Sequence, residues 1–426
     1  MDTTKLARKL RMIAALFLIG LAFTDVFEFL CLRNQDRSTN HSPYALEFAA
    51  YAVCMAIGVL DLSSIRRLLR KPIVWWSLGA VALFTWGMFV RSLNSPGGID
   101  QYDFVRSFGL QLNAIAFMIA CVFIFDDPDV LQKTRYAVVG ATCLGIALNL
   151  YEVFHPGTFS GDLGRSAGLY GNSNDSGMAL VFGCLIGMTV VPRVWRELFV
   201  AAAALGVTAT FSREAMLAMG VVIVGAALGK RASVARLALL AGLGIAVFAG
   251  FRVAATLRQG QILSTDNLAR LSFGTGDASA NDRKRVAEKL FAEFEEAPLL
   301  GHGFGTSTYW GDIESHDLYL SYLVDYGIVG IVLIPGLMFS LRRRSWEFYT
   351  FAITFCIWCL FSHYVFYDTF ALIALGIQAD QAAEPQDSAS EAFTEYRHAP
   401  PLAEPLNQVA FFSARTPNNI ADGRRA

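Results

Sequence analysis

Four residues outside the long apolar runs stand out for the chemistry that their side chains can do. They are Arg165, Arg213, Arg283 and His316. An arginine stays protonated in proteins and can hold phosphate oxygens through two parallel hydrogen bonds, so it suits the binding of a phosphorylated anion. A histidine, with an ordinary pKa of about 6.5, can accept a proton near neutral pH. These residue types therefore indicate anion binding combined with proton transfer.

Each of the four also allows a purely structural interpretation, and residue spacing alone leaves both open. The segment at 164–174 is also typical of a glycine-rich turn that starts a helix, although its backbone N–H groups could be exposed. Arg213 could be an anchor whose side chain reaches the lipid headgroups. His316 could be a structural histidine, although it precedes Asp317. His363 is a weaker candidate of the same kind as His316.

The stretch from Asp282 to Phe294 is predicted to form an amphipathic helix. Its apolar face is formed by Val286, Leu290, Phe291 and Phe294. With Asp282 as N-cap, the cations Arg283 to Arg285 occupy the first turn, where they oppose the helix dipole. That arrangement favours an anion facing this end of the helix. A basic helix held at the interface by lipid headgroups is the alternative.

These residues are set in an apolar chain. Of its 426 residues, 54% are hydrophobic and only 17% charged, against about 25% in soluble domains. A membrane core about 30 Å thick requires about 20 apolar helical residues. We predict an all-α polytopic membrane protein with about twelve transmembrane helices. They begin near Met12, Tyr44, Ile73, Phe104, Tyr136, Asp175, Val194, Ala215, Val234, Leu318, Trp346 and Tyr364.

Basic residues set the predicted orientation. With a cytoplasmic N-terminus, every basic cluster in a short loop falls on the cytoplasmic side, as the positive-inside rule requires. The long loop at 254–316 is then periplasmic and contains the amphipathic helix. We assign residues 1–378 to the transmembrane domain and 379–426, which is rich in Pro, Glu, Gln and Ser, to a disordered cytoplasmic tail.

Ionisable residues of the spans lie mainly in the outer halves of the helices. They are Asp25, Glu28, Glu47, Arg106, Glu152 and Asp325. A transporter is expected to carry charges or broken helices near the midplane, so this distribution indicates a site at the outer boundary instead. Neither a cofactor nor a nucleic-acid partner is expected, and the outside loops contain no Asp-rich motif for a divalent metal.

In their order along the chain, these segments resemble the family of O-antigen ligases and Wzy-type O-antigen polymerases. The segment from Gly164-Arg165 to Asn172-Ser173-Asn174 is similar to the family's Arg/Gly stretch ending in Asn-Pro-Asn, with Ser173 in place of proline. Ser212-Arg213 is similar to its Ser-Arg element. The resemblance covers about residues 160–340.

The second half of the resemblance lies around the long loop. The segment Pro298-Leu299-Leu300-Gly301-His302-Gly303 is similar to the family's Pro-Leu-x-Gly-x-Gly motif, and Arg283 lies before it as an arginine does in the family. The family usually has a tryptophan four residues after that arginine, where this chain has Ala287. Ten residues separate His316 from Gly327, and this spacing is similar to the His-x10-Gly signature of the ligases. Asp317 departs from the Asn, Ser or Gln usual after that histidine, which weakens the ligase assignment more than the family assignment.

The resemblance implies a metal-independent, inverting glycosyltransferase of the bacterial inner membrane, active on its periplasmic face. The donor would be a glycan linked to undecaprenyl diphosphate, and the acceptor a sugar hydroxyl of lipid A-core, in lipopolysaccharide biosynthesis. Arg165, Arg213 and Arg283 would bind the donor diphosphate, and His316 would be the catalytic base. Supporting roles would go to Asn172, Asn174, Asp317 and Tyr319.

Two other functions remain open from the sequence. A polymerase of O-antigen or exopolysaccharide would use a second lipid-linked glycan as acceptor. A transporter or flippase of a lipid-linked anion would use the same arginines as a binding site, and it would be favoured by internal repeats or a charged through-path.

Overall fold

The computed structural model describes residues 3–34, 45–94, 101–160, 165–231, 278–309 and 315–381, with Ser233, Ala235, Arg236 and Gly242 between them. Every regular element in these ranges is helical, which confirms the all-α prediction for the described part of the chain. The predicted tail, the ninth predicted span near Val234 and most of the first half of the long loop lie outside the described residues.

The first half of the chain forms helices α1 to α7. Their bounds are Thr3–Leu18 (α1, continued by a π-helical segment Ile19–Phe23), Val26–Asn34 (α2), Ala45–Leu60 (α3), Leu62–Leu69 (α4), Pro72–Asn94 (α5), Gln101–Ile124 (α6) and Pro128–Phe154 (α7). Local sequence explains the ends: Asp127 caps α7 by accepting hydrogen bonds from the backbone N–H groups of Asp129 and Val130, with Pro128 at the first helical position.

The second half contains the segments singled out in the sequence. Its helices are Ser173–Gly187 (α8), Arg193–Ala209 (α9), Arg213–Leu228 (α10), Ala278–Glu296 (α11), Thr306–Tyr309 (α12), Leu318–Tyr326 (α13, followed by a 3-10 segment Gly327–Val332), Leu333–Ser340 (α14), Trp346–Phe361 (α15) and Thr369–Gln381 (α16). Each predicted span other than the ninth begins within, or a few residues before, one of these helices.

Within the described residues, four continuous helical stretches are long and apolar enough to cross a membrane. They are Pro72–Asn94, Val105–Ile124, Pro128–Phe154 and Leu318–Ser340, and the pair α3–α4, bent by 111°, raises the number to five. Helices such as α8, α9 and α10, with 15, 17 and 16 residues, are shorter than the roughly 20 that a span needs. The number of about twelve spans thus stays a prediction.

Helix α8 lies at the centre of the bundle. It is buried over almost its whole length, as expected for a helix that is apolar all round. The ring of Phe182 packs against Phe351, Trp358 and Phe370 of α15 and α16. Gly183 lets α8 approach α7 so closely that a Cβ there would overlap Thr142. This central helix carries the asparagine segment at its N-terminus.

Ion pairs join the ends of helices opposite this segment. Lys71 contacts Asp126 at 2.7 Å and also pairs with Asp380. Arg67 contacts Asp126 at 2.8 Å, and Arg8 contacts Asp127 at the same distance. The basic residues assigned to the cytoplasmic side are therefore used to fasten α1, α4 and the α6–α7 turn to α16.

Candidate functional site

Arg165 is held by two contacts to neighbouring elements. Its Nε donates a hydrogen bond to the carbonyl of Thr210 at 3.1 Å, and a terminal nitrogen donates to the side-chain oxygen of Asn174 at 2.6 Å. The first contact reaches the turn between α9 and α10, and the second reaches the first turn of α8. Arg165 thus links the glycine-rich segment to the turn that precedes Arg213.

The asparagines predicted to support the site have distinct positions. Asn172 is the N-cap of α8, and its side chain accepts a hydrogen bond from the N–H of Asn174 at 2.8 Å. Asn174 in turn accepts from Arg165. Asn172 therefore shapes the start of the helix, while Asn174 orients the guanidinium directly.

The glycine-rich segment is tied down by the buried carboxylate of Glu152, near the end of α7. One carboxylate oxygen accepts from the backbone N–H of Ser160 at 2.7 Å, and the other accepts from Ala167 and Gly168 at 2.8 and 3.0 Å. The expectation that this segment exposes its N–H groups is therefore wrong at Ala167 and Gly168, because the protein already uses them. Gly164 lies outside the described residues.

A strained turn presents Arg213. Phe211 has a φ of 51°, and Ser212 caps α10 by accepting a hydrogen bond from the N–H of Ala215. The same turn packs against α8, where a Cβ on Gly177 would lie 2.7 Å from that of Ala215. Arg213 is consequently the first residue of a helix whose start is fixed by tight packing.

Arg213 and Arg283 line one cavity of about 1120 Å³ between α10 and α15. Arg213 and Phe361 stand at one end of these antiparallel helices, while Leu228 and Trp346 stand at the other. The lining is otherwise largely apolar and includes Met216, Leu217, Val221, Val224 and Ile353. The cavity is therefore an apolar groove, as long as the two helices, that carries two arginines.

The helix that bears Arg283 corrects one prediction. It begins at Ala278, so Asp282 is not its N-cap and Arg283 lies in the second turn instead of the first. The interaction of a charge with the helix dipole falls off within the first turn, so that argument for an anion loses its force. Arg283 is nevertheless partly buried, whereas the side chains of Lys284 and Arg285 are 76% and 70% exposed. The predicted apolar face is only partly buried, since Phe291 is exposed.

The glycine loop after this helix docks on α13 through its backbone. The N–H groups of His302 and Gly303 donate to the carbonyls of Val324 and Asp325, each at 2.9 Å. The Asp325 carboxylate accepts from the N–H groups of Gly305 and Ser307. Gly327 has a φ of 64°, and a Cβ there would lie 2.5 Å from the Leu299 backbone. The glycines of the Pro-Leu-x-Gly-x-Gly and His-x10-Gly motifs therefore allow the loop after α11 to pack closely against α13.

Arg91 is a member of this arrangement that sequence reasoning did not single out as a site residue. It is 3% exposed and donates a hydrogen bond to the hydroxyl of Thr306 at 2.6 Å. A Cβ on Gly303 would also overlap the Arg91 backbone. A charged residue near the end of an apolar helix is a signal of a site that the sequence does contain. Nothing in the sequence indicated that Arg91 would contact Thr306.

His316 lies at the entrance to α13. Its ring centroid is 6.2 Å from that of His363, two residues beyond the cavity-lining Phe361. Asp317 caps α13 by accepting a hydrogen bond from the N–H of Leu320 at 3.1 Å, and its burial raises the pKa of the carboxyl above the ordinary range. Tyr319 packs against the hydrophobic core of the bundle. Asp317 and Tyr319 therefore make structural contacts around the histidine.

One group in the described residues has the composition of a metal site. Glu293, Glu296 and His302 place one ligand atom each within 4.8 Å of one another. The Nε2 of His302 already donates to the carbonyl of Glu293 at 2.8 Å, so a metal would be bound through Nδ1. The group belongs to the end of α11 and the glycine loop, in a different part of that helix from Arg283.

Comparison with models of known protein families gives a match to part of the chain. A family model described as O-antigen ligase matches residues 198–335, a range that contains Arg213, Arg283 and His316 but not Arg165. No curated protein matches the chain.

Proposed function

We propose, from the match of residues 198–335 to the O-antigen ligase family, that this chain transfers a glycan from undecaprenyl diphosphate to a sugar hydroxyl of lipid A-core at the periplasmic face of the inner membrane. The observation that supports this most strongly is the position of Arg213 and Arg283 in a groove whose lining is largely apolar and includes one carboxylate, that of Glu214. A lipid diphosphate has the same two parts: an apolar chain and a doubly phosphorylated head.

In this proposal the apolar part of the groove holds the prenyl chain and the arginines bind the diphosphate. Negative charge grows on the leaving diphosphate as its bond to the sugar breaks, and fixed positive charge stabilises it most at that point. Arg213 and Arg283 supply that charge from α10 and α11. Arg165, braced by Asn174 and the Thr210 carbonyl, adds a third guanidinium from the adjacent segment.

His316 acts as the general base. It accepts the proton of the acceptor hydroxyl, whose oxygen attacks the anomeric carbon on the side opposite the diphosphate. The bond between that carbon and the phosphate oxygen breaks, its electron pair leaves with the diphosphate, and the anomeric configuration is inverted. A positioned base is typically worth about 10²–10⁴ in rate. The neighbouring His363 ring and the Asp317 cap hold the position of His316.

The phenotype of a deletion strain tests the proposal in the cell. Loss of a ligase leaves lipid A-core without long-chain O-antigen while polymerised glycan accumulates on the lipid carrier. Loss of a polymerase leaves lipid A-core capped by a single repeat unit and would assign the chain to the alternative. Unchanged lipopolysaccharide and lipid-linked glycan would contradict both. Glycan that accumulates only on the cytoplasmic face would support the flippase instead.

A further inference from the structure

Glu152 is a buried carboxylate whose two oxygens are both occupied by one loop. Its side chain lies near the end of α7, and the residue is only 2% exposed. An ionised carboxylate out of water is costly unless hydrogen bonds satisfy it. Here one oxygen accepts from the N–H groups of Phe159 and Ser160 and from the Ser160 hydroxyl. The other accepts from the N–H groups of Ala167 and Gly168.

These hydrogen bonds hold the loop on both sides of Arg165. The hydroxyl of Ser160 also contacts the Arg165 carbonyl at 3.3 Å, and the next residue, Ser166, donates its N–H to the carbonyl of Ala209 at the same distance. The backbone is thus held at the Arg165 carbonyl and at the three residues that follow it. The outer-half position of Glu152 made it one of the residues that indicate a site at the outer boundary, and its acceptor capacity is directed to this loop.

We propose that Glu152 is a positioning residue for the donor site, which acts by holding the backbone of Arg165 so that its guanidinium meets the donor diphosphate. The inference rests on the proposed function and adds to it a residue that does not touch the substrate. A flexible arginine loses about 2 kcal/mol of side-chain entropy when it is ordered. A loop fixed by five hydrogen bonds lets the guanidinium lose less on binding, because its Cα and its contacts are already in place.

Substitution by glutamine tests the carboxylate specifically. The glutamine side chain would keep one acceptor oxygen, but its NH₂ group would face either the N–H groups of Ala167 and Gly168 or those of Phe159 and Ser160. Since each net hydrogen bond is worth about 1 kcal/mol, Glu152→Gln should raise KM for the lipid-diphosphate donor about five- to tenfold, with a smaller change in kcat. Ser160→Ala, a milder change that keeps the backbone hydrogen bonds, should raise KM about twofold to threefold.

A double-mutant cycle separates positioning from general stability. Purified full-length enzyme in nanodiscs is assayed with a glycan linked to undecaprenyl diphosphate, comparing Glu152→Gln, Arg165→Ala and the double variant. If Glu152 acts through Arg165, the double variant has the KM of Arg165→Ala alone. Additive effects of the two changes would overturn the inference. Glu197→Gln is the matched control, because Glu197 is also a buried helical carboxylate that accepts a backbone N–H, from Ser233. The control should keep the wild-type KM.

The outcomes distinguish this inference from the proposed function. If Arg165→Ala raises KM while Glu152→Gln and Ser160→Ala leave it unchanged, the positioning role is wrong and the proposed function stands. If Arg165→Ala also keeps the wild-type KM, the role of Arg165 in donor binding is wrong and the inference falls with it. Should Glu152→Gln fail to fold, a double-mutant cycle of Ser160→Ala and Arg165→Ala replaces it, and the same comparison of KM values tests the positioning role.

Discussion

Arg213 and Arg283 line the same apolar cavity although they belong to separate helices, α10 and α11. Most of the other residues that line this cavity are apolar. Guanidinium groups in such a setting attract an anion strongly, because the interaction between opposite charges grows as the surroundings become less polar than water. A lipid with a diphosphate head satisfies both parts of this cavity at once.

The first prediction concerns the two cavity arginines. Arg213→Ala and Arg283→Ala should each lower kcat/KM for the lipid-linked donor by about 10²-fold or more, since each removes fixed charge from a leaving diphosphate. Lysine at either position should restore only part of the rate, because an ammonium cannot bind two oxygens in the same plane. Transfer is measured with purified variants.

Arg285→Ala is the control for this comparison. It removes a cation from the same helix, but one whose side chain is 70% exposed. It should keep nearly the full rate. If Arg285→Ala and Arg283→Ala were equally impaired, the net charge of the helix would matter and not a specific contact of Arg283.

The second prediction fills the apolar part of the cavity. Gly220 lines it, and a Cβ there would meet nothing within 4 Å. Gly220→Leu should therefore fold normally but occupy space assigned to the prenyl chain, raising KM for a long-chain donor more than for a short-chain analogue. Gly79→Leu, at another exposed helical glycine with open space, should leave both KM values unchanged. An equal effect of Gly220→Leu on both donors would argue against a chain in this groove.

The third prediction concerns His316. His316→Ala should lower kcat by about 10²–10⁴-fold while KM for the donor changes little, because a general base acts on the acceptor hydroxyl. His155→Ala removes an exposed histidine that stacks on Tyr151 and should retain activity. Retention of wild-type kcat by His316→Ala would remove the histidine from the mechanism.

The fourth prediction concerns the docking of the glycine loop. Gly327→Ala would place a Cβ 2.5 Å from the Leu299 backbone at a residue with a φ of 64°, so both overlap and strain oppose it. We expect a loss of more than about 2 kcal/mol in the free energy of unfolding, measured by thermal or denaturant unfolding in detergent. Gly140→Ala, in open space on α7, should not be destabilising. Similar unfolding of both variants would show that this close approach contributes little.

Sequence alone predicted the membrane character, the helical class and the two arginines that line the cavity. Arg213 could be recognised because charge between two apolar runs is rare, and because its Ser-Arg element and its order along the chain with Arg283 and His316 resembled a known family. The joint position of Arg213 and Arg283 in a cavity could not be predicted, since it depends on the packing of α10 against α15 and on where α11 approaches them.

Other features needed three-dimensional contacts. Glu152 was noticed for its depth, but only the structure shows that its oxygens accept hydrogen bonds from Phe159, Ser160, Ala167 and Gly168. The cap assigned to Asp282 was wrong because the sequence before it, Ala278 to Asn281, also continues the helix. A local capping signal is weak where several neighbouring residues can start a helix equally well.

Glycan transfer itself is the claim that a single reconstitution tests most directly. Purified protein in nanodiscs is incubated with a glycan linked to undecaprenyl diphosphate and with lipid A-core, and both lipids are analysed by mass spectrometry. The account predicts glycosylated lipid A-core and free undecaprenyl diphosphate in equal amounts with the wild type, and neither product with the double variant Arg213→Ala, Arg283→Ala. Undiminished transfer by the double variant would contradict this prediction. So would a donor that stays intact both with lipid A-core and with a second lipid-linked glycan as the acceptor.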